Sequence, residues 1–213
     1  MTKYSHIIWD WNGTLLDDVN HCMSAMNEML KKRGMPVMNN LTDYHNAFVF
    51  PIIQYYHNVG FDFEQEPFAD LAAEFINRYH ADKTGNSPLH DGVEEVLKTI
   101  NAIGITQIIL SASEQENLLS QVKEFPIMHY FSEILGLSNI YAKSKIEIGL
   151  DYLKNNSVDK ALLIGDTVHD YEVATALNAD CILVAKGHQS KKVLSTCGVI
   201  VIDDITKVLE LIK

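Results

Sequence analysis

The polarity pattern along this chain changes character twice. A short apolar run rich in β-branched and aromatic residues, His6–Trp9, stops at Asp10. Such a run reads as a buried strand. A helical period follows. Met23, Met26, Met29 and Leu30 recur at helical spacing within residues 19–33, a segment that Asp17 or Asp18 can cap and that Gly34 and Pro36 close. Residues 42–58 and 68–79 also have a helical character, with breaks at Gly60 and Pro67. Residues 19–85 therefore hold helices and little strand signal.

Beyond them the pattern alternates. Asp91-Gly92 opens a helix that runs to about Ala102 and ends at Gly104. Strands are predicted over 106–110, 133–137, 161–164 and 181–184, with 199–202 as one more, and helices over 115–123, 145–155 and 171–177. Strands alternating with helices imply a parallel sheet covered on both faces, an α/β Rossmann-like fold. The expected organisation is an α/β core of residues 1–18 and 86–213, interrupted by an all-helical insertion of residues 19–85.

Composition narrows the chemistry. The 213 residues carry 47% hydrophobic and 21% charged side chains, an ordinary globular balance. The formal net charge is −11, which makes nucleic-acid phosphates and anionic membranes poor partners. An anionic substrate needs that field reversed locally, and a bound cation does so most simply. The cysteines, Cys22, Cys181 and Cys197, are odd in number and match no zinc spacing, so reduced thiols in a cytoplasmic protein are expected. No signal peptide and no apolar stretch of about 18 residues is seen.

Three predicted strands end in polar residues: Asp10, Ser111 and the pair Gly165-Asp166. In an open parallel sheet the carboxyl ends of the strands form the ligand crevice. Two carboxylates and a hydroxyl are thus expected at one edge of one sheet.

These segments also carry a resemblance. "DWNGTLL" resembles the first motif of the haloacid dehalogenase-like hydrolases, Asp-x-Asp-Gly-Thr-Leu. "IILSA" is similar to the second motif, and "LLIGDTVHDYEVATA" to the fourth, Gly-Asp-x-x-x-Asp before an alanine-rich helix. "LHDGVEEVL" resembles the segment that returns from the family's helical cap to its core. Within the family the chain looks most like the phosphoglycolate phosphatase branch.

The resemblance implies a Mg²⁺-dependent phosphatase of a small phosphorylated metabolite, with residues 19–85 as its cap. Asp10 would attack phosphorus and form an aspartyl phosphate. Asp10, the backbone carbonyl of Asn12 and Asp166 would bind the metal, and Asp170 would hold its waters or position a neighbour. Ser111 would donate to a phosphoryl oxygen. The family's third motif is a lone lysine, for which "YAKSKIEIG" offers Lys143 and Lys145. Ser144-x-x-Glu147 has the form of a capping box, which favours Lys145 at the start of a helix.

One position departs from the pattern. Where the family's phosphatases have a second Asp as general acid and base, this chain has Asn12. An amide can hydrogen-bond but cannot exchange a proton at neutral pH. A positioned acid–base contributes about 10²–10⁴-fold. The expectation is a slowed phosphatase, the alternative a phosphate-binding regulatory relative with little turnover. His169 and His188 lie where either could touch substrate. The clusters Phe48-Val49-Phe50-Pro51 and Tyr55-Tyr56 read as cap core, and the methionine-rich first helix as apolar packing.

Overall fold

A computed structural model describes residues 3–81, 87–137 and 145–212. Six parallel strands form one sheet in the order β3-β2-β1-β4-β5-β6. They are β1 (His6–Trp9), β2 (Thr106–Glu114), β3 (Glu133–Leu137), β4 (Ala161–Gly165), β5 (Asp180–Val184) and β6 (Ile200–Ile202). Both faces are covered, and alternate residues of a strand go to opposite sides. Ile7 and Trp9 pack with Val96, Leu97 and Leu118, whereas Ile8 packs with Leu163, Val173 and Tyr152. This double burial is why β1 and β4 read as unbroken apolar runs.

Four helices lie between β1 and the next core element: α1 (Val19–Lys32), α2 (Leu41–Ala47), α3 (Ile52–Asn58) and α4 (Phe68–Ala81). None adds a strand to the sheet. Their apolar side chains, with Met26, Met29, Tyr44 and Leu71 at the centre, form a cluster separate from the two that flank the sheet. The chain crosses into and out of this region side by side. Asp17 N–H donates to the Pro88 carbonyl at 2.8 Å, and His90 N–H to the Leu15 carbonyl at 3.0 Å. The core helices are α5 (Val93–Ala102), α6 (Gln115–Val122), α7 (Ile146–Asn155), α8 (Val168–Ala176) and two short ones near the end of the chain, α9 (Lys191–Leu194) and α10 (Val208–Leu211).

Four local expectations need correction. The helix expected over 42–58 is two helices, because residues 48–51 leave helical geometry ahead of Pro51. The helix expected from 171 starts at Val168, with Thr167 and Asp170 forming a reciprocal capping box. The helix expected from 145 starts at Ile146. Finally, Ser111 does not end its strand: β2 continues to Glu114 through a register shift after Leu110. Its polar tail, Ser-Ala-Ser-Glu, hides a strand that outlasts its apolar core. Among the described residues no helix is long and apolar enough to cross a membrane.

Candidate active site

β1 lies between β2 and β4, and the chain reverses its direction across the sheet there. That is where an open parallel sheet forms its ligand crevice. Asp10 leaves the end of β1 and Asp166 the end of β4. Gly13, at φ 73°, turns the chain after Asp10. A side chain at Gly13 or Gly187 would run into the Asp166 carboxylate, so backbone closes over that group from two sides.

Lys145 is fully buried and its ammonium lies 2.6 Å from Asp10 Oδ1 and 2.7 Å from Asp170 Oδ1. The Thr14 hydroxyl is 3.0 Å from Asp10 Oδ2 and 3.1 Å from Asp166 Oδ1, linking the two acids. The second oxygen of Asp170 accepts from the Thr167 hydroxyl at 2.7 Å and from two backbone N–H groups. The Ser111 hydroxyl oxygen accepts the Ser113 N–H at 3.1 Å, which leaves its proton free to donate. Lys143 and Ser144, and with Ser144 the expected capping box, lie outside the described residues; Lys145 itself occupies the N-cap of α7.

Asp10, Asp166 and Asp170 bring ligand atoms within 4.8 Å of one another. Their charges are poorly compensated. Burial drives the Asp10 carboxyl up, Lys145 pulls it back, and Asp170 adds repulsion, so that it settles at about 6. Burial and the nearby Asp10 and Asp170 push Asp166 up to about 8 despite His188. Asp170 is different: burial would raise it, yet Lys145 and Thr167 hold it below the usual carboxylate range. Burial opposes the charge on Lys145 as well, and its two carboxylate partners overcome that.

Nothing local in the sequence encodes the surroundings of Asn12. Its amide donates to Asp18 Oδ2 at 2.7 Å, and its carbonyl oxygen accepts from the Ser113 hydroxyl at 2.7 Å. Asp18 sits at the N-cap of α1, but its side chain does not cap that helix, contrary to expectation. It accepts instead from Gly13 N–H at 2.9 Å and from the Tyr79 hydroxyl at 2.9 Å. His188 Nε2 lies 3.3 Å from its other face. Burial alone would raise Asp18, but His188, Asn12 and Tyr79 bring it down to about 2. Burial alone would lower His188, but Asp18, with Asp166 and Asp10 behind it, lifts it to about 9. Asp18, Cys22 and His188 also cluster closely enough to hold an ion. The Asp18–His188 ion pair already accounts for that grouping, and Cys22 keeps its proton because burial, reinforced by Asp18, raises the thiol.

The helical region closes over these groups. Tyr44 Oη is 2.7 Å from His188 Nδ1, and His45 Nε2 is 3.0 Å from the Gly187 carbonyl oxygen. Phe48 stacks on His188 and Phe50 on His169, each at 4.8 Å between ring centroids. Between the two layers is a cavity of about 190 Å³, reached by Asp10, Asn12, Ser111, Lys145, Asp166 and Asp170. Phe48, Phe50, Tyr55 and Tyr56, expected as packing only, pack and also face this cavity.

A model of the family described as haloacid dehalogenase-like hydrolase matches residues 7–184. The chain belongs to the haloacid dehalogenase-like hydrolases. It is 21% identical over 211 residues to a phosphoglycolate phosphatase of Pseudomonas syringae pv. syringae, covering 95% of this chain and 78% of the relative. Its fold is similar to that of a haloacid dehalogenase-like family hydrolase from Streptococcus pneumoniae (TM-score 0.83, 18% identity, 98% of both chains). It is equally similar to protein tyrosine kinase A of Mycobacterium tuberculosis (TM-score 0.83, 21% identity, 98% of both chains). One fold carries both names, so the side chains of the site decide the reaction.

Proposed function

We propose that this chain is a Mg²⁺-dependent phosphatase of small phosphomonoesters that works through an aspartyl phosphate on Asp10. The observation that carries the reading is the position of Asp10: a buried strand-end carboxylate held by Lys145 and Thr14, facing a cavity beside Asp166. Asp10 would bond to phosphorus as the ester oxygen leaves, and water would then free the phosphate and return the carboxylate. Lys145 offsets the charge of the nucleophile and the incoming phosphate, and the Ser111 hydroxyl is free to donate to a phosphoryl oxygen.

The donor set fits Mg²⁺, because it consists of hard oxygens of three buried carboxylates, two of which share the single ammonium of Lys145. Asp10 and Asp166, with the backbone carbonyl of Asn12, would hold the ion. When bound it supplies the positive charge that lets a dianionic phosphate approach two carboxylates. Both oxygens of Asp170 are already committed to Lys145 and to Thr167, which supports a positioning role for it more than direct metal binding.

Residues 19–85 would act as a cap that excludes water from the reaction, with the paired crossings near Asp17 and Pro88 as its hinges. The free thiols of all three cysteines fit a cytoplasmic protein. Asn12 favours slow turnover, and at the limit a phosphate-binding regulator. Phosphate release from a panel of phosphomonoesters, with and without Mg²⁺, tests the reading. Activity that requires the ion and disappears in Asp10→Asn is expected. Equal activity in Asp10→Asn would overturn it.

A further inference from the structure

We infer that this site, read as the phosphatase just proposed, takes phosphomonoesters of a phenol with a single ring. Three observations converge on that class.

The first is the wall that faces the nucleophile. Tyr44, Phe48, Phe50, Tyr55, Phe75 and Tyr79 line the cavity from the helical side. Among its described lining residues Lys145 is the one lysine or arginine, and it is bound to Asp10 and Asp170. The basic residues Arg33 and Arg78 of the helical region are paired with Glu66, Glu74 and Glu28 and do not line the cavity. A substrate whose alcohol part carries a carboxylate, such as 2-phosphoglycolate, would bury that charge among aromatic rings with no uncommitted lysine or arginine beside it among the described lining residues, and the lining His188 is already paired with Asp18. Such burial costs several kcal/mol. A flat apolar ring loses nothing comparable and gains aromatic packing. A dry cavity of about 150 Å³ accepts one benzene ring, so the volume of about 190 Å³ here, which the phosphoryl group must share, has room for one ring.

The second is Tyr55. It is 2% exposed and lines the cavity, and its hydroxyl is buried with no hydrogen-bond partner among the described residues. Buried hydroxyls are nearly always satisfied. A polar substituent on a bound ring would satisfy this one.

The third is chemical. As the Asp10 oxygen bonds to phosphorus, the bond from phosphorus to the ester oxygen breaks, and the electron pair leaves on that oxygen. Asn12 can offer a hydrogen bond but no proton. A phenol ionises near pH 10, whereas an alkyl alcohol resembles water, at about 15.7. An aryloxide therefore departs unprotonated and collects its proton from solvent, while an alkoxide is stranded. The aromatic wall and the amide at position 12 select the same leaving group by independent routes.

The test uses the full chain with Mg²⁺ and four probes: phenyl phosphate, benzyl phosphate, 2-phosphoglycolate and the inert phenylphosphonate. Phenyl phosphate should exceed 2-phosphoglycolate in kcat/KM by at least about 10²-fold. Benzyl phosphate has the ring but an alkyl leaving group, and should match phenyl phosphate in KM while falling well below it in kcat. Phenylphosphonate should compete with phenyl phosphate. If 2-phosphoglycolate is turned over as well as phenyl phosphate, the substrate class is wrong while the phosphatase reading stands. If none of the three esters is hydrolysed, the phosphatase reading fails and this inference falls with it.

Discussion

The side-chain amide of Asn12 donates a 2.7 Å hydrogen bond to the fully buried carboxylate of Asp18. An acid at position 12 would therefore meet a second acid inside the protein. Two carboxylates at that distance cannot both ionise, so one keeps a proton. Asn12→Asp should install a protonated acid beside the leaving group. We expect turnover to rise, by up to about 10²–10⁴-fold, more for alkyl than for aryl phosphates. The variant should also be less stable than wild type near neutral pH, because an acid held protonated in the folded chain but ionised in the unfolded one costs stability above its unfolded pKa. Unchanged turnover, measured beside thermal unfolding, would mean that another group already moves the protons.

The ion pair between Asp18 and His188 gives a stability prediction with a definite sign. His188 is raised to about 9, so its contribution is complete below its ordinary value of 6.5 and fades as pH rises through 9. Asp18 is lowered to about 2, so its contribution is complete above 3.8 and fades as pH falls through 2. The pair is therefore at full strength between about pH 4 and 6.5. Asp18→Asn should cost about 3–5 kcal/mol at pH 6, as expected when a buried pair loses one partner. The cost should shrink clearly by pH 10. Denaturant unfolding of both proteins at the two pH values checks this, and an equal cost at both would contradict it.

Part of this arrangement could be read from the chain alone. Asp10 and Asp166 follow apolar runs buried on both faces, and such runs announce their own ends. Helix-start chemistry favours Lys145 over Lys143. Ser111 is legible too, but the end of its strand is not, because β2 runs on through polar residues and a register shift to Glu114, which pairs with Leu137 of β3. Asp17 or Asp18 reads as a helix cap, the commonest use of an aspartate before a helix, and Asp18 proves to do something else. Its partners Tyr79 and His188 lie 61 and 170 residues away along the chain. No local pattern encodes such contacts.

The buried acids also predict how a divalent ion should behave with pH. Without a cation, Asp10 and Asp166 titrate at about 6 and about 8, above the ordinary value of 3.8. Raised carboxylates lower stability as pH climbs from about 4 toward 8, since ionising them in the folded chain is unfavourable. Mg²⁺ should remove that penalty. The shift of the unfolding temperature by Mg²⁺ should therefore be small at pH 5 and large at pH 8, and Asp166→Asn should suppress it. A shift independent of pH would argue against these residues as the ligands.

Lys145 bridges two acids that would otherwise face each other unscreened. Lys145→Met keeps most of the volume and removes the charge. Phosphatase activity should fall by about 10²–10³-fold, the usual effect of losing one donor to a developing oxyanion. Stability should also fall by about 3–5 kcal/mol near neutral pH. If activity survives with only stability lost, the lysine is structural.

The most direct test of the account asks whether phosphate passes through Asp10. Asn12 should slow the attack of water on the covalent intermediate, so the intermediate should accumulate with an activated aryl ester. The measurement is mass spectrometry of acid-quenched protein after brief reaction with 4-nitrophenyl phosphate and Mg²⁺. A phosphorylated peptide containing Asp10, matched by a burst of nitrophenol and missing in Asp10→Asn, is the predicted result. Steady turnover with no adduct at Asp10, or an adduct on a different residue, would contradict it.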